Sequence, residues 1–301
     1  MNSIMIKMSL RIGCRVDDPD KHTRDVNCML YKKGKLFSGA DDGKIKVWSM
    51  DLLKLAEVQA HPSTVFSIAA SDDTLFSCSN DGSVKAFDLD TLKPKGNIIH
   101  ENLTQFWKLF YDRGCLYAGD DEGTIKIWKN GHYYGSFLTA EPVKDIAVSH
   151  HNVFTVKDSD VSITEVKVDG ETLQYGTKTS FMGRGPIALV GEVLFAFVSR
   201  NGKDIVIHEN KEDVHFRELT QVQGAHELII NSLSGTIWNN KPILFSGGWD
   251  KQIKKWLIDE DIVKNVASVD AQMVVNSIVI GDKGEIYAGG VDGHIIRVEV
   301  E

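Results

Sequence analysis

Proline is scarce in this 301-residue chain, with six in all. The 3.6-residue periodicity of an amphipathic helix is absent as well, which points away from a helical architecture. Cysteine is sparse and unpatterned. Cys14, Cys28, Cys78 and Cys115 show no CxxC spacing and no His pair at zinc-finger distance, and each falls in an apolar, strand-like run. They read as buried, reduced thiols rather than as disulfides or metal ligands. Reduced thiols favour the cytoplasm or the nucleus. Positive charge is in deficit: the net charge is −8 and the isoelectric point about 5.7. A general nucleic-acid surface needs a basic field to displace counterions, so this balance argues against one. Long apolar runs are missing too. The opening stretch MNSIMIKMSLRIGCRV is punctuated by Lys7, Arg11 and Arg15, so it reads as neither a signal peptide nor a membrane span.

Catalytic signatures are also absent. The chain has no GxxxxGK[ST], no GxGxxG after a strand, no GxSxG elbow and no HExxH. The adjacent His150 and His151 have no partners at ligand reach and are expected in an exposed loop. No cofactor and no metal site are therefore expected.

What is present is a repeat. LFSGADDGKIKVW ends at Trp48, LFSCSNDGSVKAF at Phe87, LYAGDDEGTIKIW at Trp128, LFSGGWDKQIKKW at Trp256 and IYAGGVDGHIIRV at Val298. Each reads as an apolar strand, a tight acidic or glycine turn and a second strand ending in a bulky residue. Weaker copies end at Val166 and Ile207. The resulting period near 40 residues, with strand-only content, is that of a four-stranded propeller blade. A further strand precedes each pair and another follows it, making strands a to d from axis to rim. The last copy lacks its outermost strand. Near the N-terminus, Met8, Leu10, Ile12, Cys14 and Val16 alternate with Ser9, Arg11, Gly13 and Arg15, which is the pattern of a half-buried strand. The expected fold is all-β: one seven-bladed β-propeller domain over residues 1–301, of four-stranded antiparallel blades. An N-terminal strand at about residues 5–16 closes it by pairing with the last blade, which removes exposed edges.

At this point the sequence resembles the WD-repeat (WD40) family along its whole length. A blade of that family carries a His before strand a, an Asp in the b–c turn and a Trp in strand c, linked by hydrogen bonds. His22, Asp42 and Trp48 match, as do His226, Asp250 and Trp256. His61 and Asp81 match with Phe87 in the Trp position, and His100 matches with Trp128. Asp270 takes the His position in the last blade, where Asp292 keeps the turn. The resemblance implies that these residues form a structural network rather than catalytic dyads. Blades four and five carry only Asp160 and Asn201 as turn markers.

The resemblance also implies that partners dock on the top face, where the d–a and b–c loops meet the channel. Aligning the a strands puts Asn27, Phe66, Trp107, Lys144, Pro186, Asn231 and Asn276 around the channel mouth. Trp249 in a b–c turn and Arg200 complete the candidate contacts. Asp17, Asp18, Asp20, Asp25, Asp41, Asp120, Asp121 and Asp270 place acid on one side of that face. Lys144, Arg184, Arg200 and Lys203 place base on the other. The expected function is a non-enzymatic scaffold or adaptor, a subunit of a larger hetero-complex. It would dock a protein or peptide with a basic segment and an aromatic-contacting part. The alternatives are an RNA-binding propeller subunit and an enzyme with a site at the channel mouth.

Overall fold

The computed structural model describes residues 9–101, 103–169 and 172–300. Among them the strands form seven four-stranded antiparallel sheets. Blade one shows the pattern, with strands Val26–Lys32, Lys35–Ala40, Lys44–Trp48 and Lys54–Gln59. Blades two to six follow at 65–100, 106–138, 145–182, 184–222 and 230–270. Strands a and b join through two-residue turns at Lys33–Gly34, Arg113–Gly114 and Asn239–Asn240, both residues of each at positive φ. That conformation matches the right-handed strand twist in a tight hairpin.

The seventh sheet is completed from the N-terminus. Leu10–Arg15 pairs antiparallel with Ile295–Val300, with Leu10 opposite Val300 and a register shift between Ile12 and Cys14. The expected alternation holds: Leu10 and Val16 are buried, Ile12 and Cys14 half-buried, and Arg11, Gly13 and Arg15 exposed. Met8 and the residues before it lie outside the described residues.

Each apolar core layer lies between two adjacent blades. Blade one turns Phe37, Ile45 and Val47 towards blade two, and Leu36 and Trp48 towards blade seven. The period-2 alternation of each strand therefore feeds two layers, and both faces of the b and c strands are apolar for that reason.

The two weak repeats need a correction. Trp48 lies opposite Leu36, and the equivalent pairs are Thr164 opposite Val153 and His208 opposite Phe195. Thr164 and His208, not Val166 and Ile207, thus occupy the Trp position. The turn of blade four is a residue shorter than that of blade one and the turn of blade five a residue longer, so counting back to the turn shifted both. His208 is buried against Phe181, Phe195 and Phe197, with ring centroids at 4.4, 5.1 and 5.3 Å. It donates from Nδ1 to the carbonyl of Phe216 at 2.7 Å.

Candidate functional site

The histidine network forms as linked side chains. His22 reaches Asp42 through Nδ1 at 3.0 Å and Ser38 Oγ through Nε2 at 2.8 Å, and Trp48 Nε1 donates to the same Ser38 Oγ at 2.8 Å. His226, Asp250, Ser246 and Trp256 repeat it, with His226 to Ser246 at 2.6 Å and Trp256 to Ser246 at 2.8 Å. In blade two, His61 holds Asp81 and Ser77, and Ser83 takes a further contact at 3.1 Å, while Phe87 has no donor to offer. The side chain of His100 lies outside the described residues. In its blade Ala118 stands where Ser38 stands in blade one, beside a buried Trp128.

A lysine in strand c adds a tie that the motif reading missed. Lys46, Lys85 and Lys254 donate to the carbonyls of Lys21, Ala60 and Ala225 at 2.9, 2.7 and 2.7 Å, and Lys126 pairs with Glu101. The signal is a lysine two residues before the bulky end of strand c in four repeats. There an aliphatic stem crosses the core and a charged head reaches the loop above.

Burial pushes the His61 and His226 imidazoles below their usual range, against the upward pull of Asp81 and Asp250. Burial alone would raise Asp42. The hydrogen bond and charge of His22 and the amides of Lys44 and Thr23 outweigh it and hold the carboxyl at about 2. Asp81 and Asp250 are lowered by a similar balance: burial opposed by Ser83 and His61 in one case and by His226 in the other. A depressed imidazole binds its proton more weakly folded than unfolded. Its stabilisation is complete above about pH 6.5 and is lost as pH falls, and a depressed carboxylate loses its share below about pH 4. We expect the melting temperature to hold from pH 8 to 7, to decline below about 6.5, and to fall more steeply below about 4. Calorimetry across that range checks it, and a flat melting temperature between pH 7 and 5 would contradict the histidine part.

The central channel is an open cavity of about 1060 Å³. Its mouth has two unlike halves. On blades six, seven and one, the asparagines bridge neighbours. Asn231 donates to Asn276 Oδ1 at 3.2 Å, Asn276 to the Val26 carbonyl at 3.3 Å, and Asn27 to Asp41 at 2.7 Å and the Val65 carbonyl at 3.4 Å. On the other side, Phe66 meets Trp107 edge-on at 6.5 Å, and Lys144 Nζ stands 4.0 Å from the centre of the Trp107 ring. Lys144 also faces Asp158 at 3.5 Å.

Pro186 lies one layer deeper than expected, because the amide of Ile187 bonds Asp145 as that of Leu109 bonds Ser67 and that of Ile278 bonds Ser232. Gly185 takes the mouth position. In the deeper layer Lys108 and Asp145 pair at 2.8 Å, two charges inside otherwise apolar strands that the motif reading passed over. Burial opposes the charge on Lys108, but Asp145 outweighs it and raises the ammonium pKa above its ordinary value.

Two predicted contacts lie outside the channel. Arg200 is exposed and tied to the Ser159 carbonyl and to Asp160. Trp249 is 54% exposed on the blade-six turn, beside Leu228 and Ile229, which the sequence reading did not select. The acidic side is largely committed to turns. Asp41 binds Asn27, Asp25 the amide of Asp292, Asp121 the amide of Gln105 and Asp270 that of Gln272, while Asp18 and Asp20 pair with Lys21 and Lys54. Asp120 is buried and accepts from the amides of Glu122 and Thr124, so it is not part of the surface.

The family model described as "WD domain, G-beta repeat" matches residues 15–49, 53–88 and 217–256. The structure superposes on the WD40 β-propeller domain of Doa1 with a TM-score of 0.78 at 17% identity, covering 96% of this chain and 97% of that one. It superposes on the RRP9 WD40 repeats with a TM-score of 0.80 at 15% identity, covering 97% and 98%. This chain has the β-propeller fold and carries WD repeats. U3-55K is a further structural match, with a TM-score of 0.74 at 15% identity and coverage of 96% and 98%. At such identities the likeness is one of fold. No curated protein sequence matches the chain. The three matched segments lie on blades one, two and six, where the WD-repeat propeller keeps its full His–Asp ties; blades four and five diverge at the same turns that shifted the repeat count. Among the described residues of this WD-repeat chain, no three His, Cys, Asp or Glu side chains group as a metal site, and no helix is long and apolar enough to cross a membrane.

Proposed function

We propose that the propeller is a non-enzymatic interaction subunit of a larger complex, gripping a peptide segment of its protein partner across the top mouth of the channel. The observation that carries this reading is the half-ring of Phe66, Trp107 and Lys144 over an open channel, with Trp249 exposed on the same face. Large aromatics held on a rigid scaffold are the residues around which binding energy concentrates. An enzymatic reading has little to draw on. Among the described residues lining the channel, the buried carboxylate is Asp145, and it spends its oxygens on Lys108 and on the amides of Ile146 and Ile187. An RNA-binding reading would use Trp107 and Lys144 for stacking and phosphate contact. Arg200 is already engaged, and the net charge of −8 opposes it. For a basic segment of the partner, Asp17 and Asp18 stay exposed, while Asp25, Asp41, Asp121 and Asp270 are bonded within the protein. A reducing compartment, cytoplasm or nucleus, suits the four free thiols; burial drives that of Cys28 up to about 12.

The test compares the intact protein with a Trp107→Ala/Trp249→Ala variant that melts alike, each immobilised and exposed to soluble lysate. We expect the intact protein to retain a defined protein partner that the variant loses by about tenfold or more. Equal retention by both would move the docking surface away from the top face. Retention of RNA in place of protein would favour the alternative.

A further inference from the structure

Blades five and six build a second feature on the top face. The loop carrying Leu228 and Ile229 is clamped between two turns: Ile230 donates to the Gly202 carbonyl at 2.9 Å, and Trp249 donates to the Ile229 carbonyl at 2.9 Å. The approach at Gly248 is close enough that a Cβ there would meet the Ile229 carbonyl oxygen at 2.1 Å, so only glycine fits. The clamp presents three large apolar side chains together, with Leu228 48%, Ile229 37% and Trp249 54% exposed. None fills a core, and contiguous exposed apolar surface on a folded chain marks a contact site.

Beside this shelf stands a cation without a partner. A methyl group on Gly202 would touch Ile229 Cγ1 at 3.4 Å and Arg184 Nη1 at 3.5 Å, so the aliphatic group and the guanidinium are neighbours across that glycine. Arg184 is half-buried and lines the channel mouth. Among the described residues it makes no hydrogen bond and no ion pair, whereas Arg200 on the next turn is tied down at 3.2 and 3.3 Å. Lys144, on the neighbouring blade, is already paired with Asp158 at 3.5 Å, which leaves Arg184 as the uncommitted cation of the pair at the mouth. A half-buried guanidinium has five donors and a strong preference for a planar carboxylate. Left facing an open channel beside an apolar shelf, it selects for negative charge next to bulk.

We propose that this surface binds an acidic peptide segment in which a carboxylate, from Asp, Glu or a chain terminus, lies within a few residues of a bulky apolar side chain. The carboxylate takes Arg184 at the channel mouth, and the apolar side chain lies on Leu228, Ile229 and Trp249. The proposal rests on the reading of the propeller as a peptide-gripping platform and adds the chemistry of the peptide.

The test is selection of random twelve-residue peptides displayed on phage against the full chain, followed by affinity measurement of the enriched peptides by fluorescence anisotropy. The expected result is enrichment of sequences pairing Asp or Glu with Trp, Phe or Leu. Arg184→Gln should then weaken them at least about tenfold, Arg184→Lys should retain part of the affinity, and Trp249→Ala should weaken them about tenfold. Arg184 has no internal partner to lose, so Arg184→Gln should melt like the intact protein. Enriched peptides that are basic, or that bind Arg184→Gln equally well, overturn the inference while leaving the platform reading in place. No enrichment at all overturns both. Binding of a poly-uridine oligonucleotide that is lost in Arg184→Gln, with no peptide selected, would reassign the guanidinium to nucleic acid.

Discussion

A chain lacking residues 1–16 is expected to lose most of its thermal stability. Those residues include the outermost strand of blade seven, and among the described residues no other strand pairs with that side of Ile295–Val300. Leu10 and Val16 are buried, Ile12 and Cys14 half-buried against the layers on either side, and Val16 donates to the Ile295 carbonyl at 3.0 Å. Burying each full aliphatic side chain is worth about 1.5–3 kcal/mol, so Leu10 and Val16 together account for roughly 3–6 kcal/mol before strand hydrogen bonds are considered. A native domain has only about 5–15 kcal/mol to lose. Truncation should lower the melting temperature by more than about 10 °C and promote edge-to-edge association. The measurement is differential scanning calorimetry with light scattering, alongside a full-length Leu10→Ser/Val16→Ser variant that retains the backbone. A truncated chain that melts like the intact one would dismiss the closing strand as a stabilising element.

Trp48→Ala should carry the second large cost, about 3–5 kcal/mol for emptying a fully buried indole site. Trp48 has no exposed surface, packs between blades seven and one, and donates to the Ser38 hydroxyl that also meets His22. Its loss opens a cavity and strips a buried partner in one step. Trp48→Phe should cost less, about 1–2 kcal/mol, since most of the volume remains and only the donor goes. Blade two supports that ordering: Phe87 stands in the Trp position while His61, Ser77, Ser83 and Asp81 still bond to one another. Trp249→Ala, on the exposed shelf, should stay within about 0.5 kcal/mol of the intact protein. Urea denaturation of the three variants gives the comparison. Equal losses for Trp48→Ala and Trp249→Ala would contradict the division of the tryptophans into core and surface.

That division was only half legible in the sequence. Trp48, Trp128 and Trp256 recur at one repeat position, so their burial could be read from spacing. Trp107 and Trp249 break the repeat, which marked them as unusual without saying what they touch. Trp107 packs between Phe66 and Lys144, two residues from adjacent blades about 40 residues away in the chain on either side. No local pattern contains such a contact. The ring position of Pro186 differs from the sequence expectation by one layer for a related reason. The bond that sets the layer, from the Ile187 amide to Asp145, joins neighbouring blades.

Seven blades, four strands each, and closure by the N-terminal strand were all present in the chain as written. Period-2 alternation and turn chemistry are local, and a unit repeated seven times reports them seven times. Where the repeat decayed, the count of turn residues decayed with it, and only paired registers recovered Thr164 and His208 as the Trp equivalents. Charge on the top face was the least legible. An aspartate in a turn looks the same whether it binds a partner, caps an amide as Asp121 does, or is buried as Asp120 is. Tertiary structure decides among these, because a carboxylate's availability depends on which amides and cations the neighbouring blades bring to it. The same holds for Arg184 and for the shelf of Leu228, Ile229 and Trp249: their chemistry is in the sequence, and their adjacency exists only once the ring has closed.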